Sequence, residues 1–520
     1  MRRTRAAVVV CLCLLTVQVY AADARDLTPK INAILSDPDM ARGFWGVEIV
    51  SLNSGQVLYS QNADKLFIPA SNTKLFTTAA ALALMGPSYK CRTTVETSGT
   101  IDSSGRLNGD LVLVGRGDPN LSGRVLPYSM RTERTVFPIK ALEDLADAIA
   151  QKGIKKIDGD VVADDSYFAF ERYGEGWTQD DLVWADGAPV SALTINDNVI
   201  YVAIQPAHRA GELASVTLTP YADYYKVDNR IMTTPAGTGR KIFINREPGS
   251  MTLTLWGNMP LGDAGANEAL AVEDPAGFAA GLFRSLLEKR GIEVAGHTHA
   301  HHTELASLST FSVTALATHG GGDTHSSSSA PKEPAVLASY DSRPLSDDVR
   351  VINKVSQNLH AEILLRLLGR EKGTTGTIEG GLEVLRGFLT QIGIANEEYT
   401  FYDGSGLSRQ NLVTPHAVVT LLEYAAKQPW GTLYAETFPV AGMDGSLADR
   451  MRNTAAQGLV LGKTGSLDHV KSLSGYATTV TGDRIAFSIF ANNFDVPGHR
   501  AQDAIDRIVE AVVEDAPAKK

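Results

Sequence analysis

Ser71 and Lys74 stand three residues apart at the head of the stretch "IPASNTKLFTTAAALALMG" (68–86). Side chains at i and i+3 share a helix face. A serine hydroxyl becomes a useful nucleophile only with a base in hydrogen-bond reach. An amine serves as that base once burial or a nearby cation lowers its pKa. The rest of the stretch is an apolar helix (Leu75, Phe76, Ala79, Ala80, Leu82, Ala83, Met85) stopped by Gly86 and Pro87. It would hold the pair rigid and partly desolvated, and its N-terminus adds positive potential. The spacing alone is a weak signal. Serine is a common N-cap, a lysine can snorkel to water, and the chain repeats the spacing at Ser329-Ala330-Pro331-Lys332, where Pro331 breaks any helix.

Two further groups give the pair a context. Lys463-Thr464-Gly465 is the only Lys-[Ser/Thr]-Gly in the chain, on a predicted strand. The preceding "GLVLGKT" approaches a phosphate loop. Only three residues separate Gly458 from Gly462 where that motif needs four, and no helix follows, so a nucleotide site is excluded. Ser356-Gln357-Asn358 falls in "VINKVSQNLHAEILLRLLG" (351–369), read as helical. Ser-x-Asn also occurs at Ser51-Leu52-Asn53 and Ser60-Gln61-Asn62, and Ser and Asn suit any helix start. The order is what carries weight. A helix-start Ser-x-x-Lys, then Ser-x-Asn, then a strand-borne Lys-Thr-Gly marks the active-serine enzymes that bind penicillin.

With "VGRGDPNLS" (114–122), "GAPVSALTINDN" (187–198), "DGSGLSRQNLVTP" (403–415), "AGMDGSLADRM" (441–451) and "GKTGSLDHVKSLSGYA" (462–477), nearly the whole mature chain resembles one family. These are the D-alanyl-D-alanine carboxypeptidase/endopeptidases of the class C low-molecular-mass penicillin-binding proteins, peptidase family S13. The resemblance implies an α+β fold: a transpeptidase-like domain, its antiparallel sheet flanked by helices, with a large insertion. It implies Ser71 as nucleophile, Lys74 as one of several routes for its proton, and Ser356 as a relay between Lys74 or Lys463 and the leaving amine. Asn358 would hold the substrate peptide group, and Lys463 and Thr464 the terminal carboxylate. Gly465 would leave room for the substrate backbone against the strand. Backbone N–H groups of Ser71 and Ser466 would form the oxyanion hole, worth roughly 3–4 kcal/mol per donor. Asp164 resembles a contact for the diaminopimelate ammonium, the plain alternative being a solvated loop carboxylate. The implied partners are peptidoglycan stem peptides and cross-links, with β-lactams as covalent inhibitors and no cofactor. Two rivals stay open: a β-lactamase on the same scaffold, for which no deacylating Glu motif is evident, and a non-catalytic peptidoglycan-binding protein. No G-x-S-x-G elbow points to an ordinary α/β-hydrolase.

Both ends of the chain must position these residues. "GFWGVEIVSLNSGQVLYSQNAD" (43–64) reads as a hairpin, 458–493 as three successive strands and 500–513 as a closing helix. One antiparallel sheet built from both termini follows, giving domain parts 22–87 and 341–520. Residues 88–340 read as the insertion: an outer subdomain (88–197 and 263–296), a nested β-rich subdomain (198–262) and a His/Ser-rich loop (297–335). That loop holds six of the eleven histidines (His297, His299, His301, His302, His319, His325) and reads as solvated and flexible, without a metal. No HExxH occurs in the chain.

The bulk numbers fit. A formal charge of −11 on 520 residues, with no basic block, argues against a nucleic-acid surface. Arg2, Arg3 and Arg5, a short apolar run over 6–17 and Val19-Tyr20-Ala21 read as a signal peptide, residues 1–21. The mature protein is then exported, periplasmic or otherwise extracytoplasmic, free or peripheral to membrane or wall. It has no transmembrane anchor, and its one remaining cysteine, Cys91, has no intrachain partner.

Overall fold

Along "RIAFSIFAN" the apolar side chains face two ways, because a strand alternates its faces every residue. Ile485, Phe487, Ile489 and Ala491 join one core, and Ala486 and Phe490 the other. A strand apolar on both faces belongs in the middle of a sheet with helices above and below, and that is where it lies in this computed structural model. Residues 27–124, 138–221, 223–308 and 333–515 are described; the signal-peptide reading falls outside them.

In chain order the elements that matter are β1 (Phe44–Ser51), β2 (Val57–Gln61), α1 (Thr73–Met85), β3 (Arg92–Thr97), β4 (Leu111–Val114), β5 (Val161–Ala169), β6 (Thr298–Thr303), β7 (Ala335–Asp341), α2 (Leu345–Lys354), α3 (Asn358–Lys372), β8 (Val460–Leu467), β9 (Val470–Thr478), β10 (Arg484–Asn492) and α4 (Gly498–Glu514). The first sheet runs β2-β1-β10-β9-β8, antiparallel throughout, so both chain ends build it as expected. The terminal helix α4 covers one face through Ile505, Ile508, Val509, Val512 and Val513. The helix after Ser71, α1, lies under the other, with Thr73 to Leu82 all buried. A helix buried all round is held by tertiary packing rather than by an amphipathic stripe.

The insertion has its own five-stranded sheet, ordered β6-β5-β4-β3-β7. Two boundaries differ from the sequence reading. Residues 298–303 of the His/Ser-rich stretch are not a loop: they form β6, parallel to β5. His299, His301 and His302 face Asp160, Asp164 and Asp165, and the ring of His302 stacks on Phe170. Polar strands give no apolar alternation to read, which is why the pairing was missed. The rest of that stretch, with His319 and His325, lies largely outside the described residues. The nested β-rich unit also extends past 262, because Ala266–Ala271 pairs with Val199–Gln205.

Candidate active site

The nucleophile turn is a short 3-10 segment, Ala70–Asn72, ahead of α1. Ala70 has φ 48°, a left-handed conformation costly for a residue with a Cβ. The neighbours hold it there. Gly406 packs so closely that a Cβ on it would sit 1.9 Å from the Ala70 carbonyl oxygen. Thr73 donates its hydroxyl to that same oxygen at 3.1 Å. From this turn and α1, Lys74 Nζ reaches Ser71 Oγ at 2.9 Å. It also donates to Asn358 Oδ1 at 2.6 Å and to the Ser405 carbonyl at 2.5 Å.

The Ser-x-Asn motif is not mid-helix. The helical stretch breaks at 355–357, and Ser356 has φ 63°. Gln357 caps α3 by accepting the Leu359 N–H at 2.9 Å and donates to Asp197 at 3.1 Å. Asp197 sits in a turn of three left-handed residues, Asn196 to Asn198, and is bonded to buried His360 and to Arg124. Two strained turns therefore brace each other through a buried polar network. Asn358 is the first residue of α3 and donates its amide to the Asp186 carbonyl at 2.9 Å.

The strand β8 supplies Lys463-Thr464-Gly465. It is the edge of its sheet, so alternate backbone groups face away from the ladder. Lys463 Nζ donates to Ser356 Oγ at 2.9 Å and to the Thr464 carbonyl at 2.8 Å. Thr464 shares a 2.6 Å hydrogen bond with Ser446. All of this surrounds a cleft of about 880 Å³ whose walls include Ser71, Ser356, Asn358, Thr464 and Ser466.

Burial pushes the Lys74 ammonium down to about 8, against the pull of Asp403, Glu362 and Asp186. Burial and then the charge of Lys74 push Lys463 well below the ordinary lysine value.

Lys463 is fully buried and is not among the residues lining the cleft; its ammonium bonds Ser356. The protein itself requires a glycine at 465: a Cβ there would lie 2.2 Å from Ser472 Oγ and 2.7 Å from the Pro69 carbonyl oxygen. Its absence lets β8 lie against the nucleophile turn, where Asn72 donates to the Lys463 carbonyl and to Ser472. Asp164 is on β5 and not among the residues lining the cleft. Its own burial raises its pKa, but the Ser166 hydroxyl and N–H and then His301, 3.1 Å away, more than offset this and hold the carboxyl low.

Sequence reading missed the acidic frame behind Lys74. Asp403, fully buried, accepts the N–H groups of Gly406 and Ser408, the Trp177 indole and the Asn411 amide. Glu362 accepts the N–H groups of Gly404 and Ser405, which aims the Ser405 carbonyl at Lys74. The signal was present: Glu362 and Arg366 stand four apart within the apolar run Ala361 to Leu368 of α3, the mark of a buried ion pair. Among the described residues no group of three or more His, Cys, Asp or Glu could hold a metal ion.

The sheet covered by helices, with these motifs at its edge, has the fold of the penicillin-recognising serine enzymes. The crystal structure of penicillin binding protein 4 (dacB) from Haemophilus influenzae superposes with a TM-score of 0.76 at 24% identity, covering 93% of this chain and 98% of that one. The profile of the D-Ala-D-Ala carboxypeptidase 3 (S13) family matches residues 27–319 and 314–512, and the chain belongs to that family. It is 35% identical over 505 residues to the D-alanyl-D-alanine carboxypeptidase of Actinomadura sp. (strain R39), covering 95% of this chain and 86% of the relative. It is 27% identical over 454 residues to the D-alanyl-D-alanine carboxypeptidase DacB of Haemophilus influenzae, covering 85% and 84%.

Proposed function

We propose that this protein is a serine D-Ala-D-Ala carboxypeptidase that also cleaves peptidoglycan cross-links as an endopeptidase. The observation that carries this reading is the Lys74–Ser71 pair at 2.9 Å facing the Lys463–Ser356 pair across one cleft. Ser71 Oγ attacks the carbonyl of the penultimate D-Ala, and its proton passes to Lys74, which is partly neutral near pH 8. The tetrahedral oxyanion is held by the N–H groups of Ser71 and Ser466, roughly 3–4 kcal/mol per donor. Ser356, hydrogen-bonded to Lys463, relays to the leaving amine a proton from Lys74, which took it from Ser71, or from Lys463, and regains its own as the C–N bond breaks. Water then attacks the acyl-enzyme and frees Ser71. A leaving D-Ala makes the cycle a carboxypeptidase, and a leaving diaminopimelate amine an endopeptidase. A β-lactam acylates the same serine. Asp164 contributes to stem-peptide binding only where the substrate ammonium displaces His301 from it. The basic and apolar N-terminal residues 1–21 support export to the compartment that holds peptidoglycan.

The test is intact mass spectrometry after incubation with benzylpenicillin, followed by peptide mapping. A stable single adduct on the Ser71 peptide, with release of D-Ala from a D-Ala-D-Ala peptide, is the expected result. Rapid drug hydrolysis without a lasting adduct would identify a β-lactamase, and neither adduct nor hydrolysis a binding protein.

A further inference from the structure

The 2.9 Å contact between Lys463 and Ser356 joins a strand to a helix break with no shared element to fix their spacing. The segment 437–447 bridges the two. On the β8 side, Val440 forms an isolated bridge with Leu461, and the Pro439 carbonyl accepts the Gly462 N–H at 3.0 Å. Ser446 adds its 2.6 Å hydrogen bond to Thr464. On the α2 side, Asn353 donates to the Thr437 hydroxyl at 2.9 Å. Lys354, the last residue of α2, donates to the two carboxylate oxygens of Asp444 at 2.7 and 2.6 Å. Asp444 Oδ1 also accepts the Val440 N–H at 2.8 Å, which ties the ion pair to the residue that bridges to β8.

A lysine at the end of a helix suits the dipole there, but its stem ordinarily carries the ammonium to water. The Lys354 side chain is instead 6% exposed, against 37% for Asp444. Gly445 lets the two backbones meet: its φ is 58°, and a Cβ on it would stand 2.7 Å from the Lys354 carbonyl oxygen. Val355 and Ser356, the next two residues, line the cleft, whereas Lys354 and Asp444 are not among its lining residues.

We infer that Lys354 is a positioning residue: its ion pair with Asp444 clamps the segment 437–447 onto the end of α2 and so sets the reach of Lys463 to Ser356. It acts through Ser356 and β8 rather than on the substrate. Ser356 is the relay to the leaving amine, so the clamp governs expulsion of the leaving group more than attack by Ser71, whose partner Lys74 stands on α1.

The inference rests on the serine-peptidase reading above, and its test keeps the two apart. Lys354→Met, Asp444→Asn and the double variant are compared with wild type. Benzylpenicillin labelling titrates the active fraction of each. D-Ala release from a D-Ala-D-Ala peptide and acylation by a chromogenic β-lactam are then measured per active site. Each variant lowers kcat on the peptide by about tenfold or more, the scale of a slightly misplaced catalytic group. KM and the lactam acylation rate stay within about threefold. Asp444→Asn leaves Lys354 buried without its counter-charge and so melts lower, whereas the double variant removes both charges and relieves that cost. Its melting temperature returns toward wild type while its peptide-to-lactam ratio stays low. A ratio that recovers along with the melting temperature, or that stays at the wild-type value in the variants, would make the pair merely structural and overturn the clamp. Asp444→Asn decides the matter if Lys354→Met fails to fold, because the amide oxygen can still accept the Val440 N–H. A wild-type protein with neither Ser71 labelling nor peptide turnover would overturn the serine-peptidase reading itself.

Discussion

Two lysine–serine pairs meet in this cleft, alike in composition and unlike in surroundings. Lys74 and Ser71 come from one turn of chain and are framed by Asp403, Glu362 and Asp186. Lys463 and Ser356 come from a strand and a helix break 107 residues apart, and what acts on Lys463 is its burial and the charge of Lys74. Burial depresses both ammonium groups, but only Lys74 has carboxylates to hold it near 8. The difference teaches a division of labour. Lys74 can lose and regain a proton around neutral pH, which a base in acylation must do. Burial and the charge of Lys74 hold the Lys463 pKa low, and its ammonium is the hydrogen-bond partner of Ser356. The two sites interact, so the protons belong to the pair.

The largest expected effect removes the nucleophile. Ser71→Ala should abolish penicillin labelling and lower peptide turnover by roughly 10⁴-fold or more; retained labelling would move the nucleophile elsewhere. Next, the two lysines can be set against each other. Lys74→Met should slow acylation by roughly 10²–10⁴-fold, as measured by stopped-flow with a chromogenic β-lactam. Lys463→Met should instead hit peptide turnover harder than β-lactam acylation, since a strained lactam needs less help from a protonated leaving amine. Equal losses in the two assays would erase the division of labour.

The pH dependence sharpens the same contrast. If Lys74 is the base, the acylation rate rises with pH as that group deprotonates, through an apparent pKa of about 8. Asp186 raises that pKa, so Asp186→Asn should move the rising limb to lower pH, by less than about one unit for an exposed carboxylate. A limb that moves upward would reject the assignment. Gly465→Ala tests the frame: overpacking against Ser472 and Pro69 should cost about 1–3 kcal/mol of stability in a denaturant melt and displace the Ser71 turn. The smallest effect belongs to the insertion. His301→Ala breaks one exposed contact to Asp164 and should leave β-lactam acylation within about twofold. A larger loss would tie β6 to the acylating centre.

The legible part of the site was its local part. Ser71 and Lys74 meet because a helix turn brings i and i+3 together, and β8 to β10 declared themselves by apolar runs and a Thr481-Gly482-Asp483 turn. What stayed hidden has no short-range signal. Asp403 and Glu362 act on Lys74 through folds of chain more than 280 residues away, and the pairing of β6 with β5 joins segments about 137 residues apart. The break at Ser356 reads as helix because its neighbours on both sides keep helical periodicity, and what holds the strained turn comes from afar: Lys463 on Ser356 and Asp197, in the insertion, on Gln357.

By itself the sequence determined which groups carry the chemistry and the order in which they come, because hydroxyl, ammonium and amide are properties of residue type and spacing. It also determined that both ends of the chain share one sheet, because alternation and helical period are local. Only the tertiary structure decided what each charged group faces. It buried Lys463, set three acids around Lys74 and packed Gly465 against Ser472 and Pro69. The physical reason is that pKa and steric demand depend on every atom within a few ångströms, and those atoms arrive from distant parts of the chain.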